Sequence, residues 1–366
     1  MVILLFLTLL FHPEPAQART YDIYRADRRF KGAFCTAIGG ACVADTDIVT
    51  GIFDNPAALA NGKEDWDFDG DYSTKSNLEP GMKGNNDVSE TAGVVGASYT
   101  NGKIGVGLAY AQQVTDVDSD LTFVDASGTS TTTKSHSRGS LIQFRLPFAV
   151  RVSPRLSLGI AFAAASHTYS LSVALAPTDV AKDSSVFNFG AIVGALYDVS
   201  PSWRLGSWFR PPGTLNDSIR FTTTTLPTQL NYSEDLALHI PWIWAIGASH
   251  TLVDNSTVLY AEGDVIGATE NGFLLSYDTF TATLSSDALR AKGRKIVIEP
   301  HLGARRRFTD SILLHAGSYF ETSRWEGLSG RFHGTFGLSY DIKHFVELIA
   351  GLDFAKNYSQ LIFTFR

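Results

Sequence analysis

The sequence predicts an all-β fold, a transmembrane antiparallel β-barrel of about fourteen strands with a small N-terminal plug in its lumen, and three observations carry that prediction. Beyond about Asp65, apolar and polar residues alternate with period two rather than at helical spacing. Tight turn signals and long polar stretches succeed one another along the chain, the asymmetry of barrels with short periplasmic turns and long extracellular loops. Only 18% of the 366 residues are charged, against roughly 25% in soluble domains. Yet no internal stretch approaches the roughly 18 to 20 apolar residues of a membrane helix. A mean hydropathy of +0.02 is what strands with one lipid-facing and one water-facing side average to.

In chain order, residues 1–18 read as a signal peptide. Residues 2–11 are apolar, and Pro13, Pro15 and Ala16-Gln17-Ala18 follow, with the small-x-small pattern of a signal-peptidase site and cleavage expected after Ala18. About ten apolar residues cannot span a bilayer as a helix. Residues 19–64 do not alternate and are rich in Gly and Ala; they form the expected plug, ahead of a barrel at 65–366.

The first strand carries Trp66, Phe68 and Tyr72 on one parity and Asp65, Asp67, Asp69 and Asp71 on the other. Later strands repeat the division: Ile104, Val106, Leu108 and Tyr110 alternate with Lys103, Gly105, Gly107 and Ala109. Phe144, Leu146, Phe148 and Val150 alternate with Gln143, Arg145, Pro147 and Ala149. Tight turns are expected at Asn101-Gly102, Ser153-Pro154, Ser200-Pro201, Asp254-Asn255, Thr309-Asp310 and Lys343-His344. The longer connections fall at 75–90, 115–137, 177–184, 211–238, 267–294, 322–330 and 355–357. Fourteen strands put both barrel ends on the tight-turn side. The strand-like Ile219, Phe221 and residues 222–225 leave open sixteen strands or a β-structured loop. Leu361, Phe363 and Phe365 close the chain with an aromatic-rich strand, such as barrel-assembly machinery reads.

Within the plug, Gly39-Gly40-Ala41 and Val43-Ala44-Asp45 precede Asp54-Asn55-Pro56-Ala57-Ala58-Leu59-Ala60. This arrangement resembles the plug of the long-chain fatty acid transporter (FadL-type) family of bacterial outer membranes. Leu196-Tyr197-Asp198 before Trp203-Arg204-Leu205-Gly206, and Ile240-Pro241 before Ala245-Ile246-Gly247-Ala248-Ser249, are similar to it as well. The resemblance implies passive uptake of hydrophobic molecules, fatty acids or aromatic hydrocarbons, by a monomer among outer-membrane lipids and lipopolysaccharide. It implies no cofactor. The plug residues expected to matter are Phe34, Ile38, Ile52 and Phe53 as a ligand-side surface, Asn55-Pro56 as a return turn, and Ala57 as a small packing residue. The runner-up reading is a structural or interaction barrel, a secretion-complex subunit or adhesin, separated from the first by whether an apolar passage reaches the plug.

Four carboxylates in line repel one another and require water, a cation or arginines. Arg145, Arg151, Arg305 and Arg307, with Glu299 and His301, share the lumen parity and are expected to form an ion network with Asp65, Asp67, Asp69 and Asp71 that holds the plug; direct ligand contact is the competing role. A calcium site stays open because oxygen ligands are plentiful, but no D-x-D-x-D-G loop with a distal Glu occurs. The nine histidines show no metal-ligand spacing. Catalysis is not expected: His136 with Ser137 and Ser249 with His250 are adjacent residues, which point to opposite faces of a strand, and His136 with Ser140, near a loop end, is the one pairing that stays open. A net charge of -7 without a Lys/Arg block argues against nucleic acid. Cys35 and Cys42 are expected to pair after export. A continuous helix would hold them about 10 Å apart, so Gly39-Gly40 would have to turn the chain between them.

Overall fold

The computed structural model describes residues 31–46, 52–61, 65–76, 86–124, 130–175, 178–223, 231–268, 276–278, 283–285, 293–324, 326, 329–342, 346–356 and 358–366. The expected signal peptide and the turn at Lys343-His344 lie outside these residues. The strands are β1 (Asp65–Ser76), β2 (Asn86–Thr100), β3 (Ile104–Val124), β4 (Ser130–Ser153), β5 (Leu156–Leu175) and β6 (Thr178–Asp198). There follow β7 (Trp203–Arg210), β8 (Gly213–Thr223), β9 (Asn231–Ile240), β10 (Ile243–Thr251), β11 (Thr257–Ile266), β12 (Ser276–Asp278) and β13 (Thr283–Ser285). The last are β14 (Val297–Arg307), β15 (Ile312–Glu321), β16 (Arg331–Ile342), β17 (Val346–Ala355) and β18 (Tyr358–Phe365).

Fourteen of these close a barrel. Antiparallel neighbours run from β6 through β5 back to β1, on to β18, and down through β14, β11, β10 and β7 to β6 again. β8 and β9 pair with each other and join β6 only at residues 180–183, so they are a hairpin added above β7 and not wall strands. That hairpin answers the open count: the 211–238 connection is β-structured and the barrel has fourteen strands. β12 and β13 form a separate small hairpin.

The wall has the two-faced pattern a bilayer requires. Trp66 and Phe68 are 60% and 67% exposed, whereas Asp69 and Asp71, which follow them on the other parity, are each 7% exposed, so the aromatic parity faces outward and these two carboxylates inward. Phe144, Leu146, Phe148, Trp203, Leu205, Trp244, Ile246, Phe336 and Leu338 continue the outer apolar surface.

Each described tight turn is closed by a side-chain oxygen that accepts two successive backbone N–H groups or one of them. Asn101 Oδ1 accepts from Lys103 (3.0 Å) and Ile104 (2.7 Å). Ser153 Oγ and Ser200 Oγ act alike at their turns. Asp254 Oδ1 accepts from Ser256 and Thr257, and the Ser256 hydroxyl bond, followed by the Ser256 backbone bond, lowers its pKa. Gly102 and Asn255 take positive φ, 74° and 53°, which suits the residue types that tolerate it.

Two expected loops are strand instead. Residues 115–124 and 130–137 extend β3 and β4, and 178–184 belong to β6. Beyond the bilayer a ladder needs no apolar parity, so the contrast that marks a wall strand fades while backbone pairing continues through Val124↔Ser130 and Leu175↔Thr178. One side of the barrel, β3 to β6, therefore has strands of 20 to 24 residues, while β7 and β18 have 8.

Candidate functional site

The N-terminal segment has residues 31–45 and 52–61 nearly all buried and packed against the inner wall, low on the tight-turn side. Its described pieces are α1 (Ala33–Ala37), a turn through Gly39 and Gly40 at positive φ, and a 3-10 turn at Pro56–Asn61. The wall meets it with glycines. A Cβ at Gly105 would enter the Leu59 backbone, at Gly159 the Pro56–Ala57 peptide, at Gly194 the Asn55 side chain, and at Gly206 the Val43 carbonyl. Gly303 and Gly317 are filled in the same way by Ile38 and Gly39, and Gly337 by Ala37. Strands can approach another backbone this closely only where no side chain intervenes. The Gly/Ala composition of residues 31–61 is the complementary half of that fit.

Asn55 links three backbones: its Nδ2 donates to Val43 O (2.8 Å) and Ala195 O (3.0 Å), and its Oδ1 accepts from Ala57 N. Ile52 and Phe53 pack with Leu59, Ala92, Val94, Ala109 and Leu141. Phe34 sits on the opposite side, edge-on to Tyr260 and His315, with the Arg305 guanidinium 5.5 Å from its ring centre.

Several of the charged residues contact the N-terminal segment or the wall beside it. Arg145 is 1% exposed and donates to Phe53 O and to Gln143 Oε1 (3.0 Å), with Asp54 as its electrostatic counterpart. Arg151 donates to Asn61 Oδ1 at 2.7 Å. Asp71 accepts from the Thr364 hydroxyl, whose oxygen in turn accepts from Ala33 N at 2.8 Å, tying the segment to β1 and β18. Asp65 is exposed and accepts from the Trp66 backbone N–H, and Arg307 is exposed at the rim. The register sets Asp69 level with Gly96, Ala109 and Arg145, so two wall strands separate that arginine from the β1 carboxylates, whereas Phe53 and Asp54 lie against it.

Cys35 and Cys42 form a disulfide with Cα atoms 5.5 Å apart. Asp54 Oδ2 lies 3.2 Å from Cys42 Sγ, but bonded sulfurs offer no thiolate, so this trio is no metal site. Cross-linking so short a loop stabilises by about 2–3 kcal/mol. The Cys35→Ala/Cys42→Ala double variant is therefore expected to keep its barrel and lose protease protection of residues 31–61. Equal protection in both proteins would contradict this.

Spacing did not reveal the polar wall on β11 and β14 to β17. Glu262, His301, Tyr319 and His333 are successive ladder partners on the inner face. Tyr319 stacks on His301 at 5.3 Å and on His333 at 4.1 Å. Asp353 accepts from Tyr319 Oη (2.6 Å) and from His333 Nδ1 (2.8 Å), since His333 Nε2 accepts from Arg331. A cavity of about 100 Å³ opens here, lined among others by Lys31, Glu299, His301, Tyr319 and Arg331. Benzene fills an apolar cavity of roughly 150 Å³; this one is smaller and charged, so it suits water and ions. The signal that would have found it is the same-face pairing of Glu262 with Asp264 and of Glu299 with His301.

The facing wall is small and apolar. Ala109, Ala111, Leu141, Ala161 and Ile192 are buried on the inner faces of β3 to β6. Ala163, Ala165 and Gly190 share that face but remain accessible, and a Cβ at Gly190 would meet nothing within 4 Å. Gln113, Thr115, Gln143, Arg145, Ser157 and His167 are buried polar residues that interrupt this face. Along the far edge of β6 the ladder breaks: β7 pairs with residues 193–198, β8 with 180–183, and no ladder partner is described for 184–192 on that side. Pro211 and Pro212, which lack N–H donors, join β7 to β8 beside this seam. A shorter break at Gly107–Leu108 faces Pro147.

No protein-family model and no curated protein matches the chain. Solved structures do. The toluene transporter TbuX of Ralstonia pickettii superposes with a TM-score of 0.67 at 16% identity, over 92% of this chain and 97% of that one. A ΔS2S3 mutant of the TodX monoaromatic hydrocarbon channel gives 0.69 at 13% identity, over 92% and 97%. A Pseudomonas aeruginosa FadL homologue gives 0.60 at 13% identity, again over 92% and 97%. The fold is that of the FadL-type channels. At such identities the FadL-type likeness is one of architecture, and these neighbours are transporters and channels rather than enzymes.

Proposed function

We propose that the chain is a channel of the Gram-negative outer membrane for passive, diffusional passage of hydrophobic small molecules, with residues 19–64 as its plug. The carrying observation is the split lumen: a largely small-and-apolar wall on β3 to β6, accessible at Ala163, Ala165 and Gly190, faces a charged wall on β11 and β14 to β17. A hydrophobic solute loses free energy by leaving water for the first wall, at about 25 cal/mol per Å² of apolar surface covered. The second wall holds water and the plug. The toluene and monoaromatic hydrocarbon channels that share the fold support a solute of that class. Ile52 and Phe53 of the plug floor this wall, and the β6 seam above them is the proposed sideways exit into the bilayer. Downhill passage needs no cofactor.

Reconstituted protein is expected to admit labelled toluene or oleate into liposomes at least tenfold faster than protein-free liposomes, and to leave glucose entry unchanged. Hydrocarbon entry no faster than in protein-free liposomes would overturn the channel reading in favour of an interaction barrel.

A further inference from the structure

We infer that Asp264, Glu299 and His301 form a binding site for one divalent transition-metal ion of the zinc class, at the joint between the N-terminal segment and the wall. Asp264 on β11 is the ladder partner of Glu299 on β14, and His301 follows Glu299 on the same face. One ligand atom from each lies within 4.8 Å of the others, and all three residues are buried, at 1%, 2% and 5% exposure.

The imidazole is what points to an ion. His301 Nδ1 lies 2.6 Å from Gly39 O, and a carbonyl only accepts, so Nδ1 carries a proton. The second nitrogen, Nε2, makes no hydrogen bond and is 3.3 Å from Asp264 Oδ2. With Nε2 unprotonated, the ring aims a lone pair at a carboxylate oxygen, a contact that a cation between them makes favourable; with both nitrogens protonated, the ring pairs with Asp264 itself. Two metal bonds of about 2.0–2.1 Å at a tetrahedral angle hold their ligand atoms about 3.3–3.4 Å apart, the separation seen here. A ligating histidine usually donates its other N–H to a backbone carbonyl or carboxylate, which fixes the tautomer, and Gly39 O occupies that place.

One nitrogen and two carboxylates favour zinc-class ions over calcium, which takes six to eight oxygens. Glu299 and His301 also line the cavity of about 100 Å³, which leaves a coordination position for solvent beside three protein ligands. Glu262 is the ladder partner of His301 and accepts from Val43 N at 2.8 Å, adding a third carboxylate next to the ion. The ion would thus be tied to the segment on two sides, through Gly39 by way of His301 and through Val43 by way of Glu262.

The test uses the full chain in detergent, with any affinity tag removed, stripped with EDTA and titrated with zinc by calorimetry and elemental analysis. One equivalent is expected, and His301→Ala, Asp264→Asn and the near-isosteric Glu299→Gln should each weaken it at least tenfold while keeping the heat-modifiable gel mobility of a closed barrel. Substoichiometric zinc in the wild type, or full zinc retention in Asp264→Asn/His301→Ala, would overturn the site. Calcium binding that survives His301→Ala would overturn it too, because imidazole would then be no ligand.

Discussion

Gly206→Leu is expected to unseat the N-terminal segment while the barrel stays closed. A side chain at this position would enter the Val43 carbonyl and the Ala44 Cα, and backbone atoms cannot step aside as a flexible side chain does. Gly247, the ladder partner of Gly206, meets Val43 from the next strand, so the segment has no free space to slide toward. Overpacking of this kind costs about 1–3 kcal/mol at a single site. The β7 ladders to β6 and β10 lose nothing, because their hydrogen bonds are between backbones. The variant should retain heat-modifiable mobility, be cut by trypsin in residues 19–64 at least tenfold faster, and let arabinose swell liposomes that the wild-type protein leaves tight. Unchanged cleavage and unchanged swelling would show that the glycine contacts do not hold the segment.

Gly190→Trp is expected to have the largest effect on passage. Gly190 is inward on β6, level with Ala163 and Arg145, and its missing side chain faces open lumen. An indole there would fill the space above Phe53 and beside the β6 seam without displacing any described atom. Stability should change little, whereas toluene entry should fall at least tenfold. Gly263, which also faces nothing within 4 Å but points outward, between the inward Glu262 and Asp264, controls for the added indole: Gly263→Trp should spare toluene entry. Equal loss in both variants would mean that the loss does not come from filling the lumen at Gly190.

Most of the wall was legible because a lipid-facing strand has to write its alternation into sequence. Trp66, Phe68 and Tyr72 outward with Asp69 and Asp71 inward is a pattern no soluble strand of one buried face would show in that order. The turns were legible for a local reason: Asn101, Ser153, Ser200 and Asp254 each satisfy N–H groups two or three residues ahead. The extended parts of β3 to β6 were not, since strands in water carry no apolar parity. Nor was the pairing of charges. Arg145 and Asp71 share the lumen parity, yet their partners, Phe53 O and Thr364, depend on how the segment threads the barrel and on which strands close it. His301 and Asp264 meet only through the β11–β14 register, which no spacing along the chain records.

The division of the lumen is open to direct measurement by photolabelling with a diazirine-bearing alkylbenzene in proteoliposomes, followed by mass spectrometry of the adducts. Labelling of Ala163, Ala165 and Gly190, competed away by excess toluene and absent from Glu299, Tyr319 and Asp353, is the predicted result. Adducts spread evenly over both walls, or confined to the outer surface, would contradict a hydrophobic path along β3 to β6.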